Sequence, residues 1–158
     1  MQILLIEDDN DKSAKIRSYL QEEYINLTEI IEKKSFHSGL KELIERGLTY
    51  DIVLMDMSMP NFDISAEEPA GGSHENFAGR DLLSQMKLRM INIPVLIVTQ
   101  YDTFGVSFNK LSLDELKKQL DQTYLPIYKG TIYYNSAQDS WKKELKTHID
   151  SMIGRLDD

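Results

Sequence analysis

Three short runs of apolar residues stand out along the first two thirds of the chain. Residues 2–6, 52–55 and 94–98 contain almost no polar side chains, and each run is followed directly by an acid or a hydroxyl residue. Continuous apolar runs of this length are typical of parallel strands that are buried on both faces of a sheet. The pattern therefore predicts three central strands.

Segments with a helical period lie between these runs. Ile16, Leu20 and Tyr24 are spaced four residues apart, and apolar residues recur with a similar spacing over 36–44 and 82–90. This spacing places the apolar side chains on one face of a helix. Residues 28–33 instead alternate between apolar and charged side chains, which predicts a strand at the edge of the sheet.

The last third of the chain continues the same order of elements. Ser112 and Glu115 have the spacing of a helix capping box, and residues 131–134 are rich in strand formers. An amphipathic closing helix is predicted from about Trp141 onward. Five strand–helix pairs joined by right-handed crossovers predict an α/β fold, a doubly wound, five-stranded parallel sheet with helices on both faces.

One long stretch does not fit a minimal unit of this kind. Residues 61–79 contain four acidic residues, a pair of glycines and no lysine or arginine, without any hydrophobic period. Connections of this length are uncommon inside compact domains. We predict a single domain over 1–158 with a long acidic loop inserted at about 61–79, and we expect this loop to be mobile without a partner.

Composition narrows the possible functions. The 158 residues fit one domain, and a net charge of −8 argues against direct nucleic-acid binding. The chain has no cysteine, which excludes disulfides and thiolate metal sites and fits a reducing cytoplasm. Neither a membrane-spanning run nor a signal-peptide pattern is present in the sequence. We therefore expect a cytoplasmic protein that contacts neither membrane nor nucleic acid.

Acidic residues follow two of the predicted central strands. Glu7 and Asp8 come directly after the first apolar run, and Asp56 comes directly after the second. In doubly wound sheets, ligands bind at the carboxyl ends of the strands, where these acids would meet. Several carboxylates at one place repel each other unless a cation offsets their charge, and their oxygens suit Mg²⁺. The pattern predicts a magnesium site.

Three segments together resemble the signature segments of response regulator receiver domains from two-component signalling. They are ILLIEDD at 3–9, DIVLMDMSMP at 51–60 and PVLIVT at 94–99. The resemblance extends over essentially the whole chain and implies the strand order 2-1-3-4-5, as in flavodoxin-like and CheY-like folds.

This resemblance also implies roles for individual residues. Asp56 matches the phosphoacceptor, Asp8 the direct Mg²⁺ ligand, and Glu7 the acid that usually holds the metal through water. The backbone carbonyl of Ser58 matches a further metal ligand, and Thr99 matches the hydroxyl that binds a phosphoryl oxygen.

One position departs from the family's pattern. Receiver domains carry a lysine at the end of the fifth strand, usually before a proline, and this sequence contains no Lys-Pro pair. In one register Lys129 takes this place, which leaves an unusually long gap before the closing helix. In the other, residues 130–135 form the strand and Tyr134 takes the lysine's place. We prefer the second register because 131–134 has the better strand formers and Gly130 is the better boundary.

The leading interpretation is a signalling phosphoacceptor and not an enzyme. A histidine kinase or a phosphotransfer protein would phosphorylate Asp56 with Mg²⁺, and a separate downstream protein would carry the output because no effector domain follows. The alternative is a pseudo-receiver, an interaction module that transfers little or no phosphate because the lysine is missing. A Mg²⁺-dependent phosphohydrolase is disfavoured, since Ser58 stands where such enzymes usually carry a second aspartate.

Overall fold

A five-stranded parallel sheet forms the centre of the molecule. The computed structural model describes residues 1–69, 71–105 and 110–156. In chain order, its elements are β1 (Gln2–Ile6), α1 (Asn10–Glu23), β2 (Glu29–Lys33), α2 (Phe36–Arg46), β3 (Ile52–Met55), β4 (Met59–Pro60), β5 (His74–Glu75), α3 (Ala78–Leu88), β6 (Val95–Thr99), β7 (Thr103–Phe104), β8 (Leu111–Ser112), α4 (Leu113–Tyr124), β9 (Tyr128–Tyr133) and α5 (Ser140–Leu156). A short 3-10 turn, Gly47–Thr49, follows α2.

The strand order confirms the predicted topology. The sheet runs β2-β1-β3-β6-β9, and all neighbouring strands in it are parallel. β3 and β6 are buried along their whole length, and β1 is buried from Ile3 onward, which explains their continuous apolar sequences. β2 lies at an edge and is only partly buried, as its alternating pattern predicted.

Alternate side chains of the strands belong to two separate apolar cores, one on each face of the sheet. Leu4 and Val53 point to one face, where α2, α3 and α4 pack against the sheet. Ile3 and Leu5 point to the other face, where they meet α1 and α5, including the fully buried Trp141. Helices therefore cover both faces, because the strand period of two sends successive side chains to opposite sides.

The stretch 61–79 is not an unstructured loop. β4 and β5 pair as a short antiparallel ribbon, and the Asn61 N–H donates to the Ser73 carbonyl at 2.9 Å. α3 already begins at Ala78. Ala70 lies outside the described residues. The ribbon has two residues in each strand and no alternating pattern, so hydrophobic periodicity cannot reveal it. The expected mobility of this stretch stays a prediction.

Candidate functional site

The carboxyl ends of β1 and β3 lie side by side. Ile6 is paired with Met55, and the Asp56 N–H donates to the Ile6 carbonyl at 3.1 Å. Glu7, Asp8 and Asp56 follow these strand ends directly, and each offers a carboxylate oxygen within 4.8 Å of those of the other two. The structure thus brings together the three acids that the sequence predicted to meet.

A buried lysine completes this cluster. The Lys12 Nζ lies 2.6 Å from Glu7 Oε2 and 3.0 Å from Asp56 Oδ2. It also donates to the backbone carbonyl of Val98 at 2.7 Å. The side chain is only 1% exposed. Two hydrogen bonds and an ion pair with Glu7 therefore hold the ammonium group.

The start of α1 places Lys12 at this position. Asp9 caps the helix, and its side chain accepts hydrogen bonds from the backbone N–H groups of Asp11 and Lys12. Lys12 is therefore in the first turn, and helix side chains lean toward the N-terminus, which here is the edge of the sheet that carries the acids.

Lys12 was not among the predicted site residues, although the sequence contains a signal for it. Lys12 precedes Ile16 by four residues and Leu20 by eight, so it lies on the face of α1 that is buried. A charged residue is normally assigned to the exposed face of a helix. Its spacing from the apolar residues, combined with the nearby acids, could have identified it.

Burial and crowding change the proton affinity of these groups. Burial raises the pKa of Glu7 to about 7, although the Lys12 ammonium acts in the opposite direction. Burial also raises the pKa of Asp8. For Lys12, burial lowers the pKa, but the carboxylates of Asp56 and Glu7 outweigh burial and raise it above its usual value, so the ammonium stays charged.

The donor set fits a magnesium ion. With the acids ionised, one ammonium offsets only one of three carboxylates in the cluster. Both oxygens of Glu7 already accept hydrogen bonds, one from Lys12 and one from the Asp9 N–H, which suits a ligand acting through water. Asp56 also accepts hydrogen bonds on both oxygens, from Lys12 and from the Met57 N–H. Asp8 is therefore the candidate for direct contact that Lys12 does not already engage. Mg²⁺ binds through one or two carboxylates and keeps several waters.

Asp56 is held firmly at its strand end. The carboxylate is almost fully buried, and its Oδ1 accepts a hydrogen bond from the Met57 N–H at 2.6 Å. Gly79 of α3 packs directly against the same backbone, since a Cβ atom there would lie 2.6 Å from the Asp56 carbonyl oxygen. The first turn of α3 therefore supports the loop that carries Asp56.

The β4–β5 ribbon forms one wall of the site. Ser58, two residues after Asp56, is buried, and its Oγ lies 2.6 Å from His74 Nε2. His74 and Asp8 also line a cleft of about 450 Å³, together with Pro60 and Phe62 of the ribbon. His74 was not predicted at the site, because only the unpredicted ribbon brings it there.

Thr99 lies at the same edge of the sheet as the acids. It is the last residue of β6, next to β3, and is fully buried. Its hydroxyl oxygen accepts a hydrogen bond from the Tyr101 N–H at 3.3 Å. Among the described residues, no hydrogen bond joins the side chains of Thr99 and Asp56.

The two residues considered for the family's lysine position have different places. Lys129 lies at a bulge near the start of β9, beside Val95, which is the end of β6 remote from Thr99. The structure therefore does not bring Lys129 to the acids. Tyr134 directly follows β9, its N–H donates to the Thr99 carbonyl at 2.7 Å, and its ring centre lies 5.7 Å from Lys12 Nζ.

Comparison with known proteins places this chain in a family. The Detocs response regulatory protein DtcB of Enterobacter cloacae is 30% identical over 145 residues, which covers 92% of this chain and 95% of DtcB. The chain belongs to the response regulator family. No protein-family model matches the sequence of this response regulator.

Solved structures of receiver domains share the fold of this response regulator. A receiver domain from Clostridium thermocellum has a TM-score of 0.64 and 20% identity, covering 99% of this chain and 96% of that one. A Francisella receiver domain also has a TM-score of 0.64, with 18% identity and 98% coverage of both chains. Family and fold together support a role in two-component signalling.

The part of the chain that the structure describes contains no helix that is both long and apolar enough to cross a membrane.

Proposed function

We propose that Asp56 accepts a phosphoryl group, in the presence of Mg²⁺, from a phosphohistidine of a histidine kinase or phosphotransfer protein in the cytoplasm. The observation that carries this proposal is the placement of Asp56. Its carboxylate is buried at a strand end, within 4.8 Å of oxygens of two other acids and 3.0 Å from an ammonium group. Burying a carboxylate costs several kcal/mol, which the nearby ammonium offsets here, and an apolar residue at this position would avoid that cost.

The proposed transfer moves the phosphoryl group between two nucleophiles. A carboxylate oxygen of Asp56 attacks the phosphorus, and the bond between phosphorus and the donor nitrogen breaks. The electron pair of that bond stays on the imidazole, which takes up a proton from solvent. Later attack by water on the phosphorus releases inorganic phosphate and restores the Asp56 carboxylate.

Several residues of the chain have positions suited to this transfer. The Met57 N–H orients the Asp56 carboxylate through Oδ1. Asp8, Asp56 and the Ser58 carbonyl, with Glu7 acting through water, would hold Mg²⁺, which offsets negative charge on the carboxylate and phosphoryl oxygens when it is bound. Thr99 supplies a buried hydroxyl at the same edge for a phosphoryl oxygen.

Phosphotransfer is supported better than the pseudo-receiver alternative. That alternative rested on the absence of a positive charge near the phosphoacceptor, and Lys12 supplies such a charge. Sustained phosphohydrolase turnover is not proposed, because the residue two positions after Asp56 is Ser58 and offers no carboxyl group as general acid. We regard the protein as a signalling phosphoacceptor and not an enzyme.

The output of the phosphorylated state is proposed to be read by a separate downstream protein. Phosphorylation would bias the loops after β3 and β6, as switch segments in other proteins are biased by a phosphoryl group. The net charge of −8 does not favour direct binding to nucleic acid.

The proposal can be tested by intact-protein mass spectrometry after incubation with acetyl phosphate. The wild-type protein should gain one phosphoryl group with Mg²⁺ and none with EDTA, and Asp56→Asn should gain none. Asp51→Asn is the matched control, since Asp51 lies exposed before β3, at the end of that strand remote from the site. A wild-type protein that stays unmodified, or an Asp56→Asn protein modified as fully as wild type, would contradict the proposal.

A further inference from the structure

The ammonium group of Lys12 has a distinctive environment. Among the described residues, Lys12 is the only basic side chain that forms an ion pair with Glu7, Asp8 or Asp56. Lys34, which directly follows β2, donates to the Asn10 side chain at 2.6 Å on the surface instead. The positive charge of the cluster therefore comes from α1.

The free-energy cost of burying the Lys12 ammonium must be offset by its contacts. Transfer of an ammonium ion out of water costs several kcal/mol, and an apolar side chain of similar size would fill the same space more cheaply. Lys12 Nζ donates hydrogen bonds to Asp56 and to the Val98 carbonyl, and it forms an ion pair with Glu7. Such full pairing fixes the position of the charge, which is the property required of a group that must meet a developing anion.

The ring of Tyr134 lies beside the Lys12 ammonium. It directly follows β9, where the sequence register places it in the position of the family's lysine. Its buried ring lies 5.7 Å from Lys12 Nζ and 5.1 Å from the Trp141 ring. An aromatic ring from the strand side thus covers an ammonium that arrives from the helix side, and the face of the ring is a favourable neighbour for a cation.

We propose that Lys12 of α1 supplies the positive charge that contacts the phosphoryl group on Asp56, in place of the lysine that receiver domains carry at the end of the fifth strand. This inference rests on the proposed role of Asp56 as phosphoacceptor. In this protein, the first turn of α1 would then provide the charged contact that the end of the fifth strand provides in other receiver domains.

The contacts of Lys12 indicate how it would act. The hydrogen bond that Lys12 donates to Asp56 Oδ2 is redirected to a phosphoryl oxygen, and the ammonium stays protonated. The ion pair with Glu7 and the hydrogen bond to the Val98 carbonyl are kept. Lys12 thus moves little, and its charge remains beside the new anion. Val98 directly precedes Thr99, so the same ammonium also links the first turn of α1 to the end of β6.

The test uses beryllofluoride, which forms an adduct with an aspartate carboxylate in the presence of Mg²⁺ and imitates the phosphoryl group. Titrations followed by ¹⁹F NMR would compare wild type, Lys12→Met, Lys12→Gln and Lys129→Ala. Met removes the charge at similar volume, and Gln also keeps an N–H donor for the Val98 carbonyl. Lys129→Ala is the matched control, because Lys129 lies at the remote end of β9.

We expect both Lys12 variants to bind beryllofluoride about 10- to 100-fold more weakly than wild type, the effect of one charge-assisted hydrogen bond. One ¹⁹F resonance of the adduct should also shift, which a merely structural effect on stability would not produce. Lys129→Ala should match wild type. Circular dichroism identifies a variant that has lost its fold, and the other neutral variant then carries the comparison.

Wild-type protein also permits a test that needs no variant. A ¹⁹F–¹H Overhauser contact between the bound fluoride and the ε-methylene hydrogens of Lys12 is expected. Wild-type affinity and an unchanged spectrum in a folded Lys12 variant, or absence of the Overhauser contact, would overturn the assignment of Lys12 alone. Failure of the wild-type protein to form any adduct would overturn the proposed function of Asp56, and the role of Lys12 with it.

Discussion

Glu7 and Lys12 are charged residues that the fold buries almost completely. Each stabilises the other's charged form, and the 2.6 Å contact between them is shorter than the contact of Lys12 with Asp56. Removal of one partner from a buried ion pair leaves an uncompensated charge and is strongly destabilising. The pair therefore links the stability of the domain to the chemistry of its site.

The raised pKa of Glu7 leads to a prediction about stability and pH. The pKa rises from 4.5 to about 7 on folding, so the folded protein binds a proton that the unfolded chain has released between these values. The contribution is complete below the unfolded pKa and is lost as the pH rises through about 7. In Mg²⁺-free protein, this contribution to the free energy of unfolding should therefore decrease as the pH rises toward neutrality.

Urea unfolding in EDTA at a series of pH values measures this effect. Glu7→Gln, which cannot ionise, should show a smaller loss of stability with rising pH than wild type. The difference between the two proteins isolates Glu7 from the other titrating groups. Parallel stability curves for wild type and Glu7→Gln would show that Glu7 does not titrate in this range.

A second prediction at the residue scale concerns metal binding. Isothermal titration should show weak Mg²⁺ binding by wild type, and Asp8→Asn should abolish the heat, because Asp8 is the candidate ligand that is not already paired with Lys12. Asp11→Asn is the control, since Asp11 is an exposed acid in the first turn of α1. An Asp8→Asn isotherm equal to that of wild type would rule out Asp8 as a ligand.

At the scale of elements, the close contact between α3 and the loop after β3 leaves no room for a side chain at Gly79. A side chain at Gly79 would meet the Asp56 carbonyl at 2.6 Å and the Met57 Cα at 3.0 Å, and backbone atoms cannot move aside as a side chain can. We expect Gly79→Ala to destabilise the domain by about 1 to 3 kcal/mol, the usual cost of overpacking.

Gly154→Ala in α5 is the control for this substitution. Apart from its chain neighbours and the backbone of its own helix, no described atom lies within 4 Å of a Cβ placed there, so alanine should stabilise the helix by about 0.5 to 1 kcal/mol. Urea unfolding of both variants gives the comparison. Gly79→Ala with wild-type stability would mean that α3 can shift away from Asp56 without cost.

Elements that are buried on defined faces were predictable from sequence. β1, β3 and β6 are apolar throughout because both faces of the sheet are covered, and the Ser112–Glu115 capping box is present as predicted. The β4–β5 ribbon could not be predicted, because each strand has only two residues, and the segment between the strands shows no turn pattern that would mark a hairpin. The hydrophobic pattern of so short a segment contains little information about which strand it pairs with.

At the scale of the whole molecule, the sheet order creates the site. β1 and β3 are neighbours in space although α1, β2 and α2 separate them in sequence, and their carboxyl ends bring Glu7, Asp8 and Asp56 together. This convergence was predictable once five strand–helix pairs and the acids after two strands were recognised. The topology alone accounts for the acidic half of the site.

The basic half of the site was not predictable in the same way. Periodicity assigns charged residues to the exposed face of a helix, and Lys12 violates this rule because its charge is satisfied by strand-end acids and a backbone carbonyl. Exceptions to the hydrophobic pattern are expected at functional sites. Here the exception is Lys12 in α1, whereas the family resemblance implied a lysine at the end of the fifth strand.

The role of Asp56 can be tested most directly by locating the modified residue. Borohydride reduces an aspartyl phosphate to homoserine, which peptide sequencing by mass spectrometry then identifies. After incubation with acetyl phosphate and Mg²⁺, we predict homoserine at position 56 and aspartate retained at position 8. Homoserine at another position, or unmodified aspartate at position 56 in protein that has gained a phosphoryl group, would contradict the assignment of Asp56 as the phosphoacceptor.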